Sequence, residues 1–293
     1  MTAADRDDRT GNTAVPRVSI LVISYNQEDY IREALESALQ QDYANLEVVV
    51  ADDASRDGTQ AIIRELAQRY PQRLRPIYNP HNVGITANSN IGLRACSGDL
   101  IAFMGGDDVL LPGKITRQVA WFNEDGRRVL CGHDVDWIDA GGAPLGIRSS
   151  DLVPLRAGRG ASGFIRNGSP YAATSVMVRR SRIPAYGFHP SLPVVSDWKL
   201  WLDVIGTDGA YGHISGIHAH YRRHRDNVTA RPNRRVTRDV LMTAWLSLCD
   251  LRGRYLKDCL HYFLLLPLRK RLFRRRRFQG DCQFRLHRLR FST

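Results

Sequence analysis

The sequence lacks any apolar run long enough to cross a membrane. The longest such run near the C-terminus, Tyr262 to Leu268, has seven residues, whereas a membrane-spanning helix needs about 20. Residues 1–17 are polar and charged, with no apolar segment of the kind found in signal peptides. We therefore expect no transmembrane span and no secretory signal, and we predict a cytoplasmic protein.

Cysteine is scarce, and its pattern indicates no metal or disulfide framework. The five cysteines are odd in number and include no Cys-x-x-Cys pair: Cys96, Cys131, Cys249, Cys259 and Cys282. This pattern argues against a zinc ribbon or a disulfide scaffold and fits a reducing compartment. No Gly-x-Gly-x-x-Gly motif follows a predicted strand and no P-loop motif occurs, so we do not expect a dinucleotide-dependent dehydrogenase or a P-loop protein.

The first 230 residues have no net positive charge, and the excess of positive charge lies after them. The whole chain has 42 Lys and Arg against 30 Asp and Glu, a net charge of +12. Residues 231–293 hold 17 of the basic residues and four Asp, a net of +13, so residues 1–230 carry a net of −1. With 43% hydrophobic residues the chain can bury a globular core. We predict a disordered leader at 1–16, a folded domain at 17–230 and a basic helical extension at 231–293.

Short apolar strands alternate with amphipathic helices in the first part of the chain. The pattern predicts strands at 18–23, 47–51, 74–78 and 100–104, and helices at 28–40, 59–70 and 86–95. Further helices are predicted at 114–123, 197–205 and 235–249, and further strands at 174–178 and 212–221. This alternation predicts an α/β fold with a parallel sheet covered on both faces. Such sheets bind ligands beyond the carboxyl ends of their strands.

Three of the predicted strands end in polar segments, and two of these carry adjacent carboxylates. The segments are Ser24-Tyr25-Asn26, Asp52-Asp53 and Gly105-Gly106-Asp107-Asp108. Adjacent carboxylates repel each other unless a cation or hydrogen-bond donors compensate them. Oxygen ligands suit Mg²⁺ or Mn²⁺, which retain open positions for phosphate oxygens. The alternatives are helix-capping residues after the second strand and a tight turn after the fourth.

Five motifs occur in the order and spacing of one known family. They are VSILVISYNQEDYIREALESALQQDYANLEVVVADDASRDGT, NPHNVGITANSNIGLRACSGDLIAFMGGDD, DDVLLPGKI, SDWKLWL and HYRRHRDNVT. On these motifs the segment from Val18 to about Thr229 resembles the inverting nucleotide-sugar glycosyltransferases of family 2. The resemblance implies the GT-A fold, a Rossmann-like and mostly parallel sheet flanked by helices.

The resemblance also implies roles for residues at matching positions. The nucleotide-sugar donor would contact Ser24, Tyr25, Asn26, Asp53, Asn82, Gly84, Asn90, Asp107, Asp108, Arg222 and His224. Asp53 would accept an N–H of a uracil-like base, and Asp107 and Asp108 would hold a divalent cation, Mn²⁺ or Mg²⁺. Asp197 would be the general base, and its burial beside two tryptophans would raise its pKa.

The sequence departs from the family's pattern at three positions. Gly105 replaces the first carboxylate of the metal-binding DxD motif, Ser196 replaces an acidic residue before the base, and Ser89 replaces an arginine. Taken alone, Asp197 also fits a helix cap. The histidines between His213 and His224 are alternatively ligands for zinc, although no cysteine accompanies them.

These observations predict an inverting, metal-dependent glycosyltransferase of cell-surface polysaccharide synthesis. It would transfer a sugar from a nucleotide diphosphate, expected to be UDP, to a hydroxyl of a glycan or a lipid-linked acceptor. One alternative is a sugar-1-phosphate nucleotidylyltransferase, which needs a glycine-rich, basic phosphate loop where Ser24-Tyr25-Asn26-Gln27 stands. The other is a non-catalytic sugar-nucleotide-binding or membrane-binding protein, against which the retained carboxylates argue.

The basic extension interleaves apolar side chains with arginines. Apolar residues between Tyr255 and Leu266 precede a run of Arg and Lys from Arg269 to Arg277. This composition is typical of segments that lie in a membrane interface and are attracted to anionic lipid. We predict that residues 254–293 bind the inner face of the cell membrane. The alternatives are nucleic-acid binding, which has no use for the apolar stretch, and a solvated tail.

Overall fold

The first half of the chain forms the predicted alternation of strands and helices. The computed structural model describes residues 15–227, 234–250 and 256–261. Its elements up to Asn123 are β1 (Val18–Ser24), α1 (Ile31–Leu39), β2 (Leu46–Asp52), α2 (Thr59–Arg69), β3 (Leu74–Tyr78), α3 (Ile85–Ala95), β4 (Leu100–Gly105), β5 (Val109–Leu110) and α4 (Lys114–Asn123). The predicted ranges agree with all of these elements except β5 to within three residues at each end. β5 was not predicted.

Four parallel strands in the order β3-β2-β1-β4 form one half of the sheet. β1 and β2 are almost continuously aliphatic, VSILVIS and LEVVVAD, as expected for strands buried on both faces. In the register of the sheet, Ser24 pairs with Asp52, and Ile23 pairs with Gly105. The polar segments after these strands therefore emerge side by side at one edge.

The second half of the chain completes the sheet with mixed pairing. Its elements are β6 (Arg128–Ile138), β7 (Pro144–Arg148), α5 (Ser149–Leu152), β8 (Gly158–Arg159), α6 (Ser162–Asn167), β9 (Met177–Arg179), α7 (Ser196–Ile205), β10 (Ala210–Arg222) and α8 (Arg234–Asp250). The sheet continues from β4 through β9, β6 and β10 to β5; β6 and β10 are parallel, whereas β9 and β5 run antiparallel to their neighbours. The predicted strand at 174–178 is instead a 3₁₀ turn at Ala173–Ser175 followed by β9.

Alternate residues of the central strands point into two separate cores. Ile20 and Val22 pack on the face covered by Leu35 of α1, while Leu21 packs on the face covered by Trp201 of α7. Helices therefore cover both faces, and the predicted class, an α/β sheet flanked by helices, is confirmed. The polar residues that follow the strands lie at the carboxyl edge of the sheet.

The end of the described chain packs beside α7. The Asp239 carboxylate of α8 accepts hydrogen bonds from the amides of Val194 and Val195, at 2.8 and 3.1 Å, just before α7 begins. No helix within the described ranges is long and apolar enough to span a membrane. The predicted leader, apart from its last residues, and most of the predicted segment 254–293 lie outside the described residues. The domain boundaries remain predictions.

Candidate functional site

The loops after β1 and β2 are joined by side chains of both. The Asn26 amide donates to Ser55 Oγ at 2.8 Å, and the Arg56 amide donates to Asn26 Oδ1 at 2.9 Å. Asn26 and Ala54 adopt φ angles of 51° and 59°, in the left-handed region, which costs about 1–3 kcal/mol for a non-glycine residue. These hydrogen bonds hold the loops in a fixed conformation at the strand ends.

The Asp53 carboxylate lies buried at the centre of this edge. It accepts hydrogen bonds from the amides of Val83 and Gly84, both at 2.8 Å, and from Asn79 Nδ2 at 2.9 Å. Gly84 has a φ of +87°, which favours glycine. Asp53 is thus oriented by groups after β3, and Asn79 is a site residue that the sequence analysis missed. The contact of Asp53 with a base remains a prediction.

Four other residues predicted to bind the donor lie in different surroundings. Ser24 is buried at the end of β1, and its hydroxyl has no hydrogen-bond partner among the described residues. Tyr25 is 43% exposed, and Asn82 is also exposed. The Asn90 amide, in contrast, binds both the N–H and the C=O of Phe188, each at 2.8 Å. That arrangement joins α3 to the segment between β9 and α7, and it does not favour donor binding by Asn90.

The acidic loop after β4 meets the segment after β10. Asp107 Oδ2 lies 2.9 Å from His224 Nε2 and 2.9 Å from Asn227 Nδ2. The Asp226 amide donates to His224 Nδ1 at 3.3 Å, so Nε2 carries the proton that points to Asp107. Asn227, which the sequence analysis quoted within a motif without selecting it, therefore belongs to the site.

Asp108 is buried beside this cluster. Its Oδ1 accepts a hydrogen bond from the Arg222 amide at 3.0 Å. Burial raises the pKa of Asp108, and the neighbouring charge of Asp107 raises it further. Asp108 therefore faces the protein interior, whereas Asp107 faces the histidine and asparagine of the opposite segment. Both remain predicted metal ligands, and the geometry favours Asp107.

The Arg222 guanidinium is buried and fastens the acidic loop to three other segments. Its Nε donates to the backbone oxygen of Asp107 at 2.8 Å, and its Nη2 donates to Glu33 Oε2 at 2.5 Å. Its Nη1 lies 3.4 and 3.3 Å from the carbonyl oxygens of residues 139 and 140. The Tyr30 ring lies under the guanidinium, at 5.1 Å, and beside the His224 ring, at 4.8 Å. This network orients Asp107, and the predicted donor contact of Arg222 remains a prediction.

Asp197 is the second residue of α7 and is partly buried. Burial raises its pKa, as the sequence analysis expected, although its hydrogen bond with the Trp198 amide opposes the shift. The preceding Ser196 hydroxyl lies 2.9 Å from the Thr86 hydroxyl, and Thr86 is two residues after Gly84, which binds Asp53. The structure thus brings the start of α7 to the same edge as Asp53.

Gly105 and Gly106 lie where neighbouring side chains leave no space for a Cβ. A Cβ at Gly105 would lie 2.5 Å from Asp107 Oδ1, and a Cβ at Gly106 would lie 2.2 Å from Gln27 Oε1. Both distances are shorter than any real contact. The Asp107 carboxylate therefore occupies the space next to the position where the family's motif has its first carboxylate.

The site offers part of a ligand set for a divalent cation. No group of three His, Cys, Asp or Glu side chains within the described ranges is arranged to hold a metal. Asp107 and His224 nevertheless provide one carboxylate and one imidazole in contact, and the carboxylate suits Mn²⁺ or Mg²⁺. Two protein ligands leave coordination positions for diphosphate oxygens. The residues present fit a cation that is completed by substrate.

Comparison with known proteins agrees with this architecture. Residues 19–143 match the family model described as Glycosyl transferase family 2. The protein Rv1520 of Mycobacterium tuberculosis is 37% identical over 214 residues, which cover 72% of this chain and 60% of that one. The chain thus spans 60% of the length of this relative. The Escherichia coli enzyme WfaP, named UDP-Glc:alpha-D-GlcNAc-diphosphoundecaprenol beta-1,3-glucosyltransferase, is 26% identical over 87% of this chain and 96% of its own length.

Two solved structures share the fold. The Staphylococcus aureus protein TarS 1-349, in complex with UDP-GlcNAc, superposes with a TM-score of 0.64 at 18% identity, over 84% of this chain and 71% of that one. The mannosyltransferase PcManGT from Pyrobaculum calidifontis, in complex with GDP-Man and Mn²⁺, has a TM-score of 0.61 at 20% identity, over 88% and 72%. At these identities the likeness establishes the fold alone.

Proposed function

We propose a sugar-transfer reaction for this protein from the premise that the chain belongs to the family 2 glycosyltransferases, as its motifs predicted. The donor is a nucleotide-diphosphate sugar, and the acceptor is a hydroxyl of a glycan or of a lipid-linked glycan. The observation that carries the proposal is the contact of Asp107 with His224 and Asn227 beside the buried Asp108. It supports a cation-binding role for Asp107, which lies at the edge where α/β sheets bind ligands.

The donor side of the site lies along the ends of β1, β2 and β4. The Asp53 carboxylate, held by the amides after β3, accepts an N–H of the nucleotide base. Uracil carries such an N–H, and both the E. coli relative and the TarS complex bear names with UDP-sugars. We therefore infer a UDP-sugar as donor, with Ser24, Tyr25 and Asn26 lining the same pocket.

Asp107 and His224 are the residues that would hold a divalent cation in this site. A bound cation would neutralise the leaving diphosphate as a Lewis acid. The chain's own contribution is to orient these ligands, because Arg222 fixes the backbone of Asp107 and Asn227 fixes its carboxylate. To act as a ligand through Nε2, His224 would bind as a neutral imidazole with its proton moved to Nδ1.

Asp197 acts as the general base on the acceptor. Because its pKa is raised towards neutral pH, the carboxylate is a more effective base than an ordinary Asp. A positioned base contributes about 10²–10⁴-fold to the rate. It removes the proton of the acceptor hydroxyl while the oxygen attacks the anomeric carbon. Attack from the face opposite the diphosphate inverts that centre.

Thermal unfolding with nucleotides tests the donor and the cation together. The midpoint of the wild-type protein is measured with UDP, GDP and their sugars, each with and without Mn²⁺. We expect an increase for UDP compounds that needs Mn²⁺ and is lost in Asp107→Asn. Asp136→Asn is the matched control, because Asp136 lies on β6 and pairs with Arg148 outside this site. If no nucleotide raises the midpoint, the transferase proposal fails.

A second experiment separates transfer from binding. Asp197→Asn is expected to abolish sugar transfer and to keep the nucleotide-dependent increase of the midpoint. If the variant transfers sugar at the wild-type rate, Asp197 is not the base. If wild type forms nucleotide diphosphate sugars from sugar phosphates instead of consuming them, the nucleotidylyltransferase alternative is correct.

The membrane prediction belongs to the same proposal. A lipid-linked acceptor lies at a bilayer, and the acceptor in the name of the E. coli relative is a diphosphoundecaprenol. We infer that the basic residues of 254–293 bring the enzyme to an anionic membrane surface where such acceptors are found.

A further inference from the structure

The two helices at the end of the described chain expose an unusual share of apolar side chains. Of seven exposed large hydrophobic side chains in the described residues, four lie in α8 and in the following helix at 256–261. They are Leu241, Trp245, Leu256 and Leu260, with exposed fractions of 41, 62, 50 and 53%. Single exposed hydrophobic residues are ordinary on a protein surface, whereas such a concentration indicates an interaction surface.

The exposed side chains lie on the outer faces of helices whose inner faces are packed. On α8, Asp239, Thr243 and Ala244 are fully or almost fully buried, whereas Leu241 and Trp245 are one turn apart on the opposite side. On the second helix, Cys259 is buried with its Sγ 3.8 Å from the Ala244 carbonyl oxygen. These contacts fix which sides of the two helices face outward.

Charge accompanies the apolar side chains. Arg238 is exposed one turn before Leu241, and Lys257 is exposed between Leu256 and Leu260. The sequence that follows, residues 262–293, contains ten Lys and Arg and one Asp. A second copy of this chain would bring the same positive charge against itself. An anionic bilayer complements the charge and accepts the leucines and tryptophan in its interfacial layer.

We propose that the outer faces of α8 and of helix 256–261 form a membrane-binding face, defined by Arg238, Leu241, Trp245, Leu256 and Leu260. This face begins before the predicted segment 254–293, and it lies on folded helices with a fixed orientation. Tryptophan suits the position because its ring lies at the boundary between headgroups and acyl chains.

The orientation of this face deepens the proposed function, on which this step rests. The opposite side of α8 carries Asp239, which binds the amides of Val194 and Val195, directly before the helix of Asp197. The bilayer therefore lies on the α7 and α8 side of the molecule. A lipid-linked hydroxyl reaches the base from the membrane, whereas the nucleotide enters over the ends of β1, β2 and β4.

Vesicle binding by the full chain tests the proposal. The probe is phosphatidylcholine vesicles with about 30% phosphatidylglycerol, compared with pure phosphatidylcholine, at low and high salt. Leu241→Ser with Trp245→Ser is expected to lower the partition coefficient by about tenfold or more, because apolar side chains leave the interface. Val15→Ser is the matched control, since Val15 is 60% exposed elsewhere. We expect it to bind like wild type.

Quenching by brominated lipids tests the same contact without relying on the double variant. Trp245 is the one exposed tryptophan of the described residues, so bromolipids should quench its fluorescence, and Trp245→Phe should remove that quenching. Absence of binding by wild type, equal binding by the double variant, or quenching that persists in Trp245→Phe would each overturn the proposal. Sugar transfer to a detergent-dispersed acceptor is unaffected by the double variant, so failure of transfer and failure of membrane binding are read separately.

Discussion

Replacing Arg222 by methionine tests whether the guanidinium positions Asp107 and Asp108, the predicted metal ligands. Methionine has a similar length and no hydrogen-bond donor, so the change removes the bonds to the Asp107 backbone oxygen and to Glu33. The bond to Asp107 is charge-assisted and short, worth about 1.5–3 kcal/mol. The pair with Glu33 contributes at most about 1 kcal/mol, because the Glu33 side chain is 59% exposed.

The net cost of Arg222→Met is smaller than the sum of these contributions. The folded protein no longer has to bury a guanidinium, and replacing a buried charge by an apolar side chain recovers part of its desolvation cost. We expect a loss of about 1–3 kcal/mol, which lowers the unfolding midpoint by about 3–10 °C. We also expect the Asp107 and Asp108 carboxylates to lose their fixed positions, because the backbone of Asp107 and the amide that binds Asp108 are no longer held in place.

The assay is the UDP- and Mn²⁺-dependent increase of the unfolding midpoint, together with the transfer rate. We expect the increase to disappear in Arg222→Met even where the protein remains folded. Arg225→Met is the control, because the Arg225 side chain is 89% exposed and pairs only with exposed Asp226; it should change stability by less than about 0.5 kcal/mol. Wild-type nucleotide binding and transfer in Arg222→Met would refute the positioning role.

Three further predictions follow from burial and crowding. Transfer should fall as pH decreases through the raised pKa of Asp197, at a pH above the ordinary range of Asp, and a rate that falls only below pH about 4 would contradict this base. Burial lowers the pKa of Lys114 to about 7, so the unfolded state binds a proton more tightly. The free energy of unfolding should therefore rise with pH between about 7 and 10.5, and Lys114→Met should remove that slope in denaturation curves, with Lys257→Met retaining it. Gly105→Asp, which restores the family's motif, should weaken rather than strengthen Mn²⁺-dependent UDP binding, because its Cβ would lie 2.5 Å from Asp107 Oδ1; tighter binding would contradict the crowding argument.

The first four strands were predictable because their local sequence indicates that they are buried. β1 and β2 are short aliphatic runs that end at polar residues, and strands buried on both faces need no other signal. β6 escaped detection, since its sequence RVLCGHDVDWI interrupts the apolar pattern with His133, Asp134 and Asp136. Asp134 is accommodated by a hydrogen bond from the Ser150 amide at 3.0 Å. The compensating donor lies in a later segment, so the sequence of β6 itself gives no signal of it.

The candidate site divides in the same way. The carboxylates at the strand ends were found from chemistry and motif, because strand ends in a parallel sheet share one edge. The residues that orient them were found only in part: Arg222 was selected, as a donor contact, but its partner Glu33 was not. The two are 189 positions apart, and nothing in α1 distinguishes Glu33 from other exposed acids. Asn227, Asn79 and Tyr30 all lie within the quoted motifs, but nothing in the sequence separated them from their neighbours there.

The loss of the first carboxylate at Gly105 has a physical meaning in this geometry. Asp107 is held by His224 and Asn227 through one oxygen, and its other oxygen lies 2.5 Å from the position that a Cβ of residue 105 would take. A second carboxylate there would add charge beside Asp108, whose pKa is already raised by burial and by Asp107. In the proposed cation site, a neutral imidazole at His224 would be the ligand in its place, with less mutual repulsion among the groups around the site. The reduced motif and the late histidine are therefore one arrangement, and the effects of substituting Gly105 and His224 should not be additive.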